Sequence, residues 1–411
     1  MRILRAIWIQ CGILLATLVV LEVLLRVYFY ATEKPQVDWR IAADGYKNSP
    51  WAQEYLTDLA RFSVRWQPFV YWLGAPYQSR YLNIDEDGLR RTFGGGPLQR
   101  SQHHAIRIFT FGGSTMLGEG SRDDYTIASW LQRSIDQTPY RVGITNFGQD
   151  AYVSTQEVVL LLEQIQQGNV PDIVVFYDGF NDAASARSGG EAGVSFDESN
   201  RRTEFRVFNF WSNDHSLMLK ESALVLVRSS GLGQLAKRIL LWLEPTRFEE
   251  LQGQLVSANT SWSHKPSPLA PGAESGRIQE QVANVYLANK RIVEALGRSF
   301  GFKCLFFWQP TVFTKVNRTH YEATIGWLPG DQEFFGGLYK RIGAIAAEEN
   351  IHDLSGVFGD SPQPYFLDEA HITEEGNRIV AQAMLPYVMT AIKEKSESMP
   401  IGAPATMNRP H

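Results

Sequence analysis

The chain has 411 residues, enough for one large α/β domain with additions or for two domains, and its composition is that of an ordinary folded protein. A formal net charge of -5, with acidic and basic residues interspersed, supplies no basic stripe, so nucleic acid is excluded as a partner. Two cysteines, Cys11 in an apolar N-terminal run and Cys304 inside "FKCLFFW", exclude a disulfide framework.

Residues 1–30 read as a membrane anchor. The apolar span from Ala6 to Leu25 is long enough to cross a hydrocarbon core of roughly 30 Å, and Gln10 and Glu22 are its strongly polar interruptions. Arg2 and Arg5 precede it, which places the N-terminus in the cytoplasm and the remainder across the membrane. Trp8 at one end and Tyr28, Phe29 and Tyr30 at the other suit the two interfaces. The span exceeds the usual signal-peptide core and "YFYATEKP" has no small-x-small cleavage site, which favours an uncleaved helix.

Residues 31–104 form an aromatic-rich segment with Trp39, Trp51, Trp66 and Trp72. Two readings stand open: a small subdomain packed on the main body, or a platform on which sugars stack. From 105 to 393, apolar runs alternate with helical patterns, as in a parallel sheet with crossover helices. The strands are "IRIFTF" (106–111), "RVGITNF" (141–147), "DIVVFY" (172–177), "KCLFFW" (303–308) and a weaker "IHDLSGVF" (351–358). Helical spacing marks 125–135, 154–168, 278–301, 336–350 and 373–393. Five strands with helices on both faces predict a doubly wound sheet whose ligands lie at the carboxyl ends of the strands. The alternation is interrupted by an insertion, 183–275, which holds an apolar helical run, 216–243, and a Ser- and Pro-rich end; a segment of that length is expected to flank the ligand face. The tail, 394–411, has little to bury and is expected to be disordered.

The strand endings carry chemistry. The first runs into Gly113-Ser114, the second into "NFGQ" with Gly148, the third into "DGFND" with Asn181, and the last is followed by "FLDEAHITEEG" with Asp368 and His371. A serine hydroxyl attacks only if a base takes its proton, and imidazole, with an ordinary pKa of about 6.5, suits that work. His371 would serve Ser114, and Asp368, three residues earlier, would reach the other ring nitrogen. The backbone N–H groups of Ser114 and Gly148 and the side-chain amide of Asn181 would meet the oxyanion. Asp178 and Asp182 read as structural. An ordinary imidazole predicts activity that falls below about pH 6.5. His103-His104 is an isolated pair before the first strand, no metal-ligand spacing occurs, and no cofactor is expected.

The blocks "FGGST", "NFGQ", "GFND" and "DEAH" resemble, in order, the motifs of SGNH hydrolases, also called GDSL esterases and lipases. The resemblance covers roughly 105–182 and 276–393. It implies a flavodoxin-like three-layer α/β/α sandwich and hydrolysis or transfer of ester-linked acyl groups, with Ser114, Asp368 and His371 as the triad and Ser114, Gly148 and Asn181 as the oxyanion hole. Gly113 and Thr115 depart from the Gly-Asp-Ser-Leu form. "GGST", together with an "NxxGxR"-like stretch, here "NIDEDGLR", is similar to membrane-anchored bacterial members. With the anchor, this implies a periplasmic or extracytoplasmic esterase acting on an acylated cell-envelope glycan or lipid. Two alternatives share the site: transfer of the acyl group to a sugar hydroxyl, since an acyl-enzyme does not choose its acceptor, and a non-catalytic envelope assembly or binding protein. A GxSxG elbow is absent, which disfavours an ordinary α/β-hydrolase.

Overall fold

The computed structural model describes residues 2–32, 38–94, 106–196, 230–243, 273–325 and 330–398, with isolated helical positions between 198 and 227. The histidine pair at 103–104, most of the first half of the apolar run at 216–243, the Ser- and Pro-rich end of the insertion and the tail from 399 lie outside the described residues. The chain divides into two compact units, Met1–Gln36 with Asp197–Lys265, and Val37–Phe196 with Pro266–His411.

The larger unit is built on five parallel strands, β1 (Ile106–Gly112), β2 (Val142–Asn146), β3 (Ile173–Asp178), β4 (Lys303–Trp308) and β5 (Ile351–Asp353), in the order β2-β1-β3-β4-β5. This is the flavodoxin-like order, and the fold agrees with the expected three-layer sandwich. Strand periodicity explains the layers. Ile106, Ile108, Ile173, Val175, Tyr177 and Phe307 point to one face, while Phe109, Phe111, Val174, Phe176 and Phe306 point to the other. The first face is covered by α2 (Ile127–Ile135), through Ile127, Leu131 and Ile135, and by the C-terminal α8 (Glu374–Ser398), through Val380, Met384, Val388 and Ile392. On the second lie α3 (Ser154–Gln166) and α6 (Ala273–Phe300), with Leu160, Leu161 and Val293 in the core. A ladder of rings crosses this face, with Phe111 stacked on Phe147 and Phe176 at centroid distances of 5.2 and 5.0 Å.

Several boundaries differ from the sequence reading. β5 stops at Asp353 because its carboxylate accepts the Ser355 N–H (2.9 Å) and turns the chain. Ala183–Gly189, expected to open the insertion, belongs to α4 (Phe180–Gly189), whose Ala183 and Ala186 are small enough to bury against α6 and α7 (Asp331–Ile345). Residues 38–94 pack on the main body: Tyr46, Tyr55, Leu82 and Ile84 share a core with Leu117 and Leu367.

In the smaller unit, α1 (Arg2–Thr32) holds a stretch, Ile3–Thr32, long and apolar enough to cross a membrane. Glu22, the acidic interruption, accepts the N–H groups of Gly231 (2.8 Å) and Leu232 (3.0 Å) at the start of α5 (Gly231–Leu243). A carboxylate at that position satisfies two otherwise orphaned donors and faces the positive end of the helix dipole. Arg238 lies 4.4 Å over the Phe29 ring.

Candidate active site

Ser114 opens a single helical turn, Ser114–Leu117, directly after β1, and the turn closes at left-handed Gly118 (φ 92°). A Cβ at 113 would lie 2.0 Å from Asn181 Nδ2, so a side chain there would require the Asn181 amide to shift. The turn is held from outside by the "NIDEDGLR" stretch. Buried Arg90 donates from Nη1 to the Leu117 and Gly118 carbonyls (3.1 and 2.6 Å), from Nη2 to the Ser121 carbonyl (2.5 Å) and from Nε to Asp123 (3.0 Å). Asn83 donates to the other oxygen of Asp123 (2.7 Å). The Asn and Arg of this motif thus converge on one carboxylate and on the carbonyls that end the serine turn.

The structure brings Ser114, His371 and Asp368 together. Ser114 Oγ lies 2.7 Å from His371 Nε2, and His371 Nδ1 lies 2.7 Å from Asp368 Oδ2. The other Asp368 oxygen accepts the backbone N–H groups of Ala370 (3.1 Å) and His371 (2.7 Å), so the Asp-x-x-His spacing closes on itself. The loop is anchored by the Leu367 N–H donating to the His371 carbonyl (2.8 Å). Ser114 is 6% exposed, so most of its surroundings are protein.

Of the three expected oxyanion donors, two groups already make hydrogen bonds within the protein. As the first helical residue, Ser114 has an N–H without an intrahelical partner. Asn181 Nδ2 donates to the Tyr152 carbonyl (2.8 Å), which fixes the amide and leaves its second hydrogen. The Gly148 N–H, by contrast, donates to Asn146 Oδ1 (2.9 Å), while Asn146 Nδ2 donates to the Met116 carbonyl (2.9 Å). The Asx turn at the end of β2 thus occupies the Gly148 hydrogen in the absence of substrate. Glycine is still needed at 148, since a Cβ would meet the Leu117 N at 2.3 Å.

No family model matches the sequence, and no curated protein does. Among solved structures, the chain is similar to an acetyl xylan esterase, AlAXEase (14% identity, 69% of this chain and 100% of that one, TM-score 0.36). It is also similar to a member of the lipolytic G-D-S-L family from Veillonella parvula DSM 2008 (13%, 69% and 98%, TM-score 0.34). A third is the lipase/acylhydrolase from Enterococcus faecalis (11%, 72% and 100%, TM-score 0.32).

Three further residues reach the site without having been singled out in the sequence. Arg40, from the aromatic-rich segment, donates from Nη1 to Asp368 Oδ2 (3.2 Å) and to Glu119 Oε1 (2.5 Å), and its Nη2 pairs with Asp38 Oδ2 (2.7 Å). The second oxygen of Glu119 stands 3.8 Å from His371 Nε2. Glu119 carries a visible signal, a lone charge between Gly118 and Gly120 five residues beyond the serine; Arg40 carries none. Burial and the neighbouring Glu119 charge push Asp150, after "NFGQ", well above the usual carboxylate range.

These charges set the base. Burial works against a protonated His371, but the Asp368 and Glu119 carboxylates outweigh it and push its pKa up to about 9. Burial likewise opposes ionisation of Asp368, yet the His371 charge and hydrogen bond, with Arg40, hold it well below the usual range. The expected fall in activity below about pH 6.5 is therefore moved upward. Asp182 accepts the Ser154 N–H (3.2 Å) and hydroxyl (2.6 Å) at the start of α3, the structural role expected of it. Burial pushes Asp178 and its neighbour Glu157 well above the carboxylate range.

Proposed function

We propose that the chain is a membrane-anchored SGNH-type serine esterase that removes short acyl groups, acetyl among them, from a cell-envelope glycan or lipid. The observation that carries this reading is the continuous hydrogen-bonded line Ser114–His371–Asp368, 2.7 Å at each step, set at the strand ends beside the Asn181 amide. In its neutral form, His371 Nε2 takes the proton as Ser114 Oγ bonds to the ester carbonyl carbon, and the Ser114 N–H and Asn181 amide meet the oxygen that becomes negative. Collapse of that intermediate breaks the bond to the alcohol, which receives the proton from His371, and leaves an acyl-serine. Water, deprotonated by the same nitrogen, attacks the acyl-serine and releases the carboxylic acid. Asp368 fixes the ring tautomer and balances the imidazolium throughout. α1 serves as the anchor, with the N-terminus cytoplasmic and the larger unit extracytoplasmic.

The test uses full-length protein and 4-nitrophenyl acetate. Ser114→Ala and His371→Ala are each expected to lower kcat by about 10³-fold or more. A Ser114→Ala variant as active as its parent would overturn the reading.

A further inference from the structure

A cavity of about 350 Å³ is lined by Trp39, Tyr321, Thr324, Ile325 and Glu369. Two of these residues are tied to the catalytic machinery by chain connectivity. Trp39 immediately precedes Arg40, whose guanidinium holds Asp368, and Glu369 immediately follows Asp368. Trp39 is 54% exposed. It leans on Tyr321 with ring centroids 6.3 Å apart and planes at 24°. Tyr321 is itself pinned, its hydroxyl donating to the Leu367 carbonyl (2.7 Å) within the triad loop. The indole is thus supported on one side by Tyr321 and lines the cavity with the other residues named.

The Glu369 carboxyl is met by its own backbone N–H and, among the described residues, by no side-chain donor, although the residue is half-buried. Burial and the adjacent Asp368 charge push it up to about 7, so near neutrality the group both accepts and donates. An acyl chain filling this cavity would strip water from that carboxyl and offer it nothing in return, which is costly. A pyranose ring has the opposite character: C–H groups on one face suit an aromatic surface, and hydroxyls at the rim suit a carboxyl and a threonine.

We propose that this cavity is a subsite for one pyranose ring of an acylated glycan, with the ring packed on Trp39 and its hydroxyls bonded to Glu369. The subsite places the sugar that carries the ester, or its neighbour, against the triad loop. It rests on the esterase reading for its purpose, though not for its detection.

The experiment uses the full-length protein in a detergent that lacks a sugar headgroup. In a Ser114→Ala background, O-acetylated cellobiose is titrated by calorimetry and by tryptophan fluorescence. Trp39→Ala is expected to weaken binding at least tenfold, Trp39→Phe to recover most of it, and Glu369→Gln to weaken it severalfold. In Ser114-containing protein, Trp39→Ala is expected to lower the ratio of kcat/KM for O-acetylated cellobiose to that for 4-nitrophenyl acetate about tenfold. Equal titrations for Trp39→Ala and its parent, no sugar binding at millimolar concentration, or an unchanged ratio would each overturn the subsite. Sugar binding that depends on Trp39, together with ester turnover that ignores Ser114, would support the subsite and overturn the esterase reading alone.

Discussion

His371 stands between two carboxylates, and its position has a kinetic consequence. The imidazole must be neutral to accept the serine proton, and with its pKa raised to about 9 the neutral form is the minority at pH 7. The sign follows: kcat/KM, which reports the free enzyme, rises about tenfold per pH unit below that value and levels above it. Glu119→Gln removes one of the charges that favour the imidazolium, so the rising limb moves to lower pH, whereas an unmoved limb would remove Glu119 from the account. Asn181→Ala is expected to lower kcat about 10²- to 10³-fold with little change in KM, measured on the same aryl ester. Ser114, Asn181, Asp368 and His371 were legible because each stands at or just after a strand end, where chain order predicts convergence. Arg40 was not, since it meets Asp368 across 328 positions and no local pattern encodes that contact. The hydrogen bond from the Gly148 N–H to Asn146 was not legible for a related reason: it depends on a side-chain rotamer that the sequence does not dictate.

At the scale of elements, the serine turn depends on a brace from outside the sheet. Arg90 answers the carbonyls that a four-residue helical turn leaves open, and Asp123 neutralises it in the interior. Arg90→Ala removes one partner of a buried pair and is expected to cost about 3–5 kcal/mol, seen as a lower urea midpoint. Arg90→Lys keeps the charge but not the fork, so it is expected to fall between the two. An Arg90→Ala protein with the parent's midpoint would contradict this role. The central strands were read to within about a residue because their apolar runs bury on both faces. β5 was overextended because apolar content alone does not reveal the Asx turn at Asp353. α8 was found despite Pro386, which the helix accommodates within its length. The start of the insertion was placed too early, since Ala183 and Ala186 look bland in sequence and act as small contact residues in α4.

Over the whole molecule, an α/β unit carries the site and a second unit holds the apolar helix. If α1 spans a bilayer as proposed, the full-length protein stays in the membrane fraction after alkaline carbonate washing, and a phosphatase fused to the C-terminus is active only when exported. Release by carbonate would contradict the anchor. The central claim is that Ser114 is the nucleophile and His371 its base. The measurement that meets it most directly is the intact mass of full-length protein after treatment with a fluorophosphonate, followed by peptide mapping at several pH values. A single adduct on the peptide containing Ser114, forming faster as pH rises toward about 9 and absent from Ser114→Ala and slowed strongly in His371→Ala, is the predicted result. No adduct, or an adduct that persists in Ser114→Ala, would contradict it.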